Sequence, residues 1–229
     1  MNNDYEVILS LTTWAGRIND PNLPLVLYRL IAQQTGNHKY KVVLVLSRQE
    51  FGDYFQLPDN IEELLKNYPD KFEVLWTYEN TRALKKLDPT MEKYPENYIA
   101  TMDDDELMQP WMVDYLCSEI KNRPNTILGA WCGPYRGVNR VGLCRLYPPH
   151  SLADIPTEYF KTYFQYMQDD EWNGIRAKVA GTPMAQMTYN PVISITFGDQ
   201  SKRFTDVYDK FDFKAAMDKF FADHPEYNK

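Results

Sequence analysis

Val42, Val43, Leu44, Val45 and Leu46 follow one another without a polar break. The run is far too short to cross a bilayer and is what a strand covered on both faces requires. Covering both faces takes helices on each side, so the chain is restricted to an α/β arrangement around a mostly parallel sheet. The neighbouring segments agree. Val7 to Leu11 reads as a first strand, and Leu23, Leu27, Leu30 and Ile31 recur at helical spacing behind Pro24. Ile61 to Leu65 follows Pro58 and Asp59 as a short helix, and Phe72, Val74 and Trp76 alternate as a strand. A helical stretch is expected over about Ala83 to Lys93, then a strand over Tyr98 to Met102.

The second half is less regular. Pro110 opens a helix whose Met112, Leu116 and Ile120 share a face, and Ile127 to Trp131 reads as a strand. Gly133 to Leu146 is expected to form a hairpin or an irregular excursion. A helix begins at Asp169 and Asp170, with Trp172, Ile175 and Val179 on one face and Gly181 as its stop. A last helix covers about Phe213 to Phe221, capped by Asp212. With 229 residues and no Ser/Gly/Pro-rich linker, one domain is the expectation.

Charge and cysteine content narrow the function classes. Lys plus Arg number 25 against 32 Asp plus Glu, a net charge of -7, and the longest basic tract is the pair Lys85 and Lys86. A duplex nucleic-acid binder needs cations to neutralise phosphates, so no nucleic-acid partner is expected. The first residues lack the basic and apolar regions of a signal peptide, which gives a cytoplasmic expectation, with membrane contact only peripheral. Cys117, Cys132 and Cys144 are odd in number and lack CxxC spacing, so they read as reduced, mostly buried thiols.

Asp103, Asp104 and Asp105 follow directly on the strand Tyr98 to Met102. Open α/β sheets bind ligands at the carboxyl ends of their strands. Three adjacent carboxylates raise one another's pKa unless a cation intervenes, and Mg²⁺ or Mn²⁺ takes carboxylates together with substrate phosphates. Asp103 and Asp105 therefore suit a metal–diphosphate site; the competing reading is a solvated acidic loop before a helix. For Asp169-Asp170-Glu171-Trp172, spacing alone favours a helix cap over a general base.

Five stretches in order, Ser10-Leu11-Thr12-Thr13 with Arg17-Ile18, Leu84-Lys85-Lys86-Leu87 with Pro89-Thr90, Ile99 to Asp105 with Trp111, Leu146-Tyr147-Pro148-Pro149, and Asp169 to Trp172, carry a further resemblance. Together they resemble a family of bacterial GT-A glycosyltransferases, family-2-like, whose members are generally found with genes for capsule, lipopolysaccharide or other surface glycans. The resemblance runs from about Glu6 to Asp212. It implies a GT-A fold with a nucleotide-binding half over about 1–105 and an acceptor-binding half over about 106–229. Thr12 and Arg17 would lie beside the donor base or its phosphates. One of Lys85 and Lys86 would face the diphosphate and the other solvent. Asp105 would bind Mn²⁺ or Mg²⁺, with Asp103 or Asp104 reaching the metal or the ribose.

The same resemblance turns the late acidic motif from a cap into the base of an inverting transfer, with Asp170 preferred to Asp169. The implied reaction moves a sugar from a nucleotide diphosphate donor, UDP by default, to a glycan or lipid-linked acceptor. The segment between the acidic triplet and Leu146 is shorter than the family pattern. His150 could be a further metal ligand, though a surface role is favoured, and His38 and His224 have no assigned role. Two rivals stand: a nucleotidyltransferase, poorly served by the single glycine in Thr12 to Arg17, and a non-catalytic sugar- or nucleotide-binding module.

Overall fold

The computed structural model describes residues 5–135, 138–166, 169–194 and 211–228. Its first half alternates β1 (Val7–Thr12), α1 (Leu23–Ala32), β2 (Tyr40–Ser47), α2 (Arg48–Phe51), α3 (Asp59–Asn67), β3 (Phe72–Thr77), α4 (Asp88–Lys93) and β4 (Tyr98–Met102). Then come β5 (Glu106–Met108), α5 (Met112–Asn122), the strands β6 (Ile127–Tyr135) and β7 (Val138–Tyr147), and the helices α6 (Thr157–Phe164) and α7 (Asp169–Ala180). β8 (Met184–Gln186), β9 (Val192–Ser194) and α8 (Phe213–Asp223) complete the described elements.

The seven-stranded sheet has the order β3-β2-β1-β4-β7-β6-β8. β1 to β4 are mutually parallel, β7 runs antiparallel to β4 and β6, and β8 is parallel to β6. The carboxyl ends of β1 to β4 therefore share one edge, where connections can bring side chains together. β5 pairs with β9 in a separate antiparallel ribbon.

The apolar run in β2 behaves as its composition demands. Val42, Leu44 and Leu46 enter one core layer, Val43 and Val45 the other, and all five are fully buried. The first layer is closed by α1, whose Leu23, Val26, Leu27, Leu30 and Ile31 are all buried. Burying each such side chain stabilises the fold by roughly 1.5–3 kcal/mol before the entropy of ordering is subtracted. The second layer joins Ile8 and Ile99 to Leu87 and to Ala177 of α7. A third, aromatic cluster links α6, α7 and α8, with Trp172 stacked on Phe160 at 5.3 Å between ring centroids. This cluster seats Trp172 and Ile175 and so fixes the first two turns of α7.

Two expectations need correction. The helix expected over Ala83 to Lys93 is two pieces, a 3-10 turn over Arg82–Lys86 and then α4. Pro89 has no N–H to give the Lys85 carbonyl, so one continuous helix is not available. The strand expected to end at Trp131 continues to Tyr135 as half of a hairpin, with a register shift between Gly129 and Trp131. Asp212 does cap α8, accepting a hydrogen bond from the Ala215 amide at 2.9 Å.

Candidate active site

β4 delivers the acidic triplet to the carboxyl edge, and the chain then turns sharply. The Glu106 amide donates to the Asp103 carbonyl and the Asp103 amide to Glu106 Oε2, each at 3.3 Å. This turn sends the three carboxylates in different directions. Asp104 points back beneath the end of β1, where it accepts from Thr13 Oγ1 and from Arg17 Nη1, both at 2.6 Å. Arg17 also reaches Asp105 Oδ2 at 3.2 Å, so one guanidinium spans two of the three acids. Asp103 turns instead toward Lys86, whose ammonium lies 2.5 Å from Oδ1.

Lys85 and Lys86 sit on the 3-10 turn, which Ser10 fastens to β1: its hydroxyl donates to the Lys86 carbonyl at 2.5 Å and meets Thr90 Oγ1 at 2.8 Å. Both lysines are buried, which corrects the expectation that one faces solvent. Adjacent residues on a 3-10 turn point about 120° apart, and here each direction ends on acid. Lys85 Nζ meets Glu50 Oε2 and Asn80 Oδ1, each at 3.2 Å. Burial holds the Lys85 ammonium below its usual range, with Glu50 opposing. For Lys86 burial acts in the same sense, but Asp103 and then Asp169 outweigh it and hold the ammonium above its usual range.

The second acidic motif arrives on the first turn of α7. Arg145, a buried residue of β7, grips Asp170 with Nε 2.6 Å from Oδ1 and Nη2 donating to Oδ2 at 2.9 Å. It also approaches Asp103 Oδ1 at 3.7 Å, while Lys86 Nζ lies 3.5 Å from Asp169 Oδ2. Two buried cations thus tie together carboxylates more than sixty residues apart in sequence. Burial is the largest influence on Asp103 and would raise it, but Lys86 and Arg145 prevail and keep this carboxyl well below the usual range. Burial pushes Asp170 up to about 6, Arg145 opposing and Asp169 reinforcing. Burial likewise pushes Glu171 up to about 7, although Arg140 Nη1 lies 2.5 Å from its Oε1.

Among the residues singled out from sequence, Arg17, Lys86, Asp103, Asp104, Asp105, Asp169 and Asp170 come together here. Thr12 does not touch this network through its hydroxyl, which donates to the Val45 carbonyl at 2.7 Å; its neighbour Thr13 does. His150 lies on the surface with Nε2 3.1 Å from Glu96. Arg145 and Glu106 were missed. Arg145 left a readable signal, a lone charge inside the apolar run Cys144 to Tyr147, where burial obliges it to find an acid. Glu106 extends the acidic triplet by one residue, and burial and the Asp103 charge push it up to about 8. Cys117 and Cys144 are buried and Cys132 is half-buried, all as free thiols.

No family model matches the chain, and no curated protein matches it in sequence. Solved structures do match. The S. aureus TarS 1-349 structure aligns with a TM-score of 0.53 at 13% identity, over 82% of this chain and 59% of that one. The same protein in complex with UDP-GlcNAc gives 0.52 at 13%, over 86% and 61%. The mannosyltransferase PcManGT from Pyrobaculum calidifontis, in complex with GDP-Man and Mn²⁺, gives 0.51 at 14%, over 81% and 56%. The chain spans about three fifths of the length of these three chains, and 37% of the longer TarS chain. The shared architecture establishes the fold as that of GT-A glycosyltransferases, a mostly parallel sheet flanked by helices. No helix among the described residues is long and apolar enough to cross a membrane.

Proposed function

We propose that this chain is a glycosyltransferase that moves a sugar from a nucleotide diphosphate, a UDP-sugar by preference, to a hydroxyl of a glycan or lipid-linked acceptor with inversion. The observation that carries the reading is the meeting of Asp103–Asp105 with Asp169 and Asp170 at the carboxyl edge, through Lys86 and Arg145. The fold shared with TarS, which has been seen with UDP and UDP-GlcNAc, supports it. So does the Mn²⁺ in the PcManGT complex.

The donor set fits a divalent ion. When ionised, Asp103, Asp104, Asp105, Asp169 and Asp170 face three cations, Arg17, Lys86 and Arg145, and two negative charges remain for a hard cation to offset. Asp105, half-buried and engaged by a single long ion pair, would hold it, with the more exposed Asp103 completing the set through the oxygen that does not face Lys86. Bound there, Mn²⁺ or Mg²⁺ would supply Lewis-acid stabilisation of the leaving nucleotide. Arg17 lies where its remaining donors can take phosphate oxygens. Lys86 is a fixed positive charge beside the position where the diphosphate would gain charge.

Asp170 is the base in this reading. A carboxyl poised near 6 is ionised at neutral pH yet basic enough to take a proton from a hydroxyl in the transition state, a contribution of roughly a hundred- to ten-thousand-fold. Arg145 positions it, and Asp169 contributes charge beside Lys86. The half-exposed Trp131, with Arg140 5.2 Å from its ring and Arg140 in turn on Glu171, offers a stacking face for an acceptor sugar next to this acid.

The test is thermal unfolding of the purified chain with a panel of nucleotide diphosphates, with and without Mn²⁺. A ligand at about a hundred times its Kd adds roughly 2.7 kcal/mol, or about 5–11 °C for a chain of this size. A manganese-dependent shift with one nucleotide, lost in Asp105→Asn, is expected. No shift with any nucleotide in folded protein would refute the donor site.

A further inference from the structure

At the opposite edge of the sheet, Glu6, His38 and Cys117 bring a carboxylate oxygen, an imidazole nitrogen and a sulfur within 4.8 Å of one another. They come from three segments. Glu6 immediately precedes β1 and His38 stands just before β2, and the two are held side by side where the Glu6 amide donates to the Lys39 carbonyl at 2.7 Å. Cys117 projects from α5, and Asp114, one turn earlier, shares its face. His38 Nδ1 is 2.5 Å from Glu6 Oε2, His38 Nε2 is 2.8 Å from Asp114 Oδ1, and Cys117 Sγ is 3.6 Å from Glu6 Oε2.

This is more than a surface ion pair. A carboxylate on one imidazole nitrogen fixes the tautomer and aims the other nitrogen, the arrangement that metal-ligating histidines use. Here Asp114 fixes Nε2, and Nδ1 faces the carboxylate that the thiol also faces. The loop is shaped for it: Gly36 has φ of +89°, and a Cβ there would sit 3.2 Å from the His38 ring and 3.3 Å from Asp114 Oδ1. A cavity of about 260 Å³ borders both Glu6 and Cys117, with Asn97 and Lys121 also on its wall. It provides an approach and room for a water.

We propose that Glu6, His38 and Cys117 form a second divalent-metal site of the zinc class, with Asp114 orienting His38 and water in the fourth position. The ligand chemistry selects the metal, because thiolate and imidazole suit Zn²⁺ and disfavour Mg²⁺ and Ca²⁺. Tetrahedral zinc places its oxygen, nitrogen and sulfur ligands about 3.4–3.6 Å apart, from bond lengths of roughly 2.0–2.3 Å. The sulfur–oxygen separation already fits, and the nitrogen–oxygen contact must open by about 1 Å. Binding exchanges protons for metal: the ion takes the place of the Cys117 thiol proton and of the proton held between His38 and Glu6, releasing both to solvent. Burial, and then the Glu6 charge, pushes that thiol up to about 12, so the metal-free site keeps its proton.

The experiment uses the full chain, reduced and stripped of metal, titrated with Co(II) and then competed with Zn(II). One equivalent of Co(II) should give a near-ultraviolet thiolate charge-transfer band and tetrahedral visible bands, both removed by Zn(II). Calorimetry in two buffers should report proton release. Cys117→Ser should abolish the charge-transfer band, Asp114→Asn should weaken binding roughly 10–100-fold, Cys132→Ser should leave binding unchanged, and Asp105→Asn should leave the charge-transfer band in place. The Asp105→Asn result separates this site from the acidic centre. Should Cys117→Ser fail to fold, His38→Gln on the surface loop replaces it, with loss of the tetrahedral bands expected. Co(II) bound without a thiolate band, or unchanged Zn(II) affinity in folded Cys117→Ser or His38→Gln, would overturn the proposal.

Discussion

Replacing Arg145 by Met removes the cation that holds Asp170 and leaves a residue of similar length in the strand. Asp103 keeps Lys86 at 2.5 Å, but Asp170 loses the partner that meets both of its oxygens. Breaking a buried ion pair from one side costs about 3–5 kcal/mol, because the surviving charge stays desolvated. For a chain of this size that is a fall in Tm of roughly 6–20 °C at pH 8. The loss should shrink on acidification. Asp170 already sits near 6, above its value in the unfolded chain, so its protonated form favours the folded state. The stability this gives is complete below the unfolded pKa and is lost as pH rises through about 6. Without Arg145 the folded pKa rises further, so at pH 5 the variant holds a neutral acid and the deficit falls to that of lost hydrogen bonds and packing, about 1–2 kcal/mol.

The assay is thermal unfolding of four proteins, the parent, Arg145→Met, Asp170→Asn and the double variant, at pH 5 and pH 8. Their coupling isolates the pair from everything else Arg145 touches. Asp170→Asn is expected to recover most of the pH 8 loss. An Arg145→Met deficit equal at both pH values, or no recovery in the double variant, would refute the reasoning.

Three further outcomes are expected. Gly174→Ala should destabilise the protein by about 1–3 kcal/mol, despite the better helix propensity of Ala, since a Cβ would lie 2.2 Å from the Asn139 carbonyl and force α7 off β7; thermal unfolding checks it, and an unchanged or higher Tm would show that the helix does not rest on that strand. Once the donor is known, kcat should fall tenfold per pH unit below about 6 as Asp170 takes a proton, and Asp170→Asn should lose both the limb and at least a hundredfold in rate, measured by initial-rate transfer assays. Trp172→Ala should cost about 3–5 kcal/mol in chemical denaturation, because Trp172 is fully buried against Phe160 and Phe164.

Local chemistry in the sequence reaches as far as single elements. The unbroken β2 run, the α1 stripe and the placement of the acidic triplet after β4 all follow from periodicity, because each depends only on which faces of one segment are covered. The sheet order is not local. That β7 lies antiparallel beside β4, with Arg145 opposite Thr101, is decided by the packing of the whole second half. Hence Asp169 and Asp170 could be read only as a cap or a base, and the cation that distinguishes Asp170 from Asp169 was out of view. β5, β8 and β9, three residues each, are too short for any period to register.

The lysine pair shows why the missing information is electrostatic. On an exposed helix, adjacent lysines diverge and solvation decides which is functional. In this fold the 3-10 turn lies between the ends of β1, β2 and β4, with Glu50 on one side and Asp103 on the other, so both ammonium groups are withdrawn from water and both must be paired. Burial then affects them unequally. At Lys85 desolvation outweighs Glu50 and the more weakly acting Asp104 and holds the ammonium below its usual range, whereas Lys86 sits among Asp103, Asp169 and Asp170 and is held above it. Lys86 therefore stays charged, fixed and adjacent to the excess of carboxylates, while Lys85 braces the turn against Glu50 of α2 and against Asn80. A diphosphate brought into this edge adds negative charge to a centre that already has two to spare, so it can bind only together with a cation. On that argument Lys86→Met should abolish the manganese-dependent nucleotide shift even with Asp105 intact, and Lys85→Met should lower the parent's Tm while leaving a measurable shift. The reverse pattern would move the diphosphate to the Glu50 side of the turn.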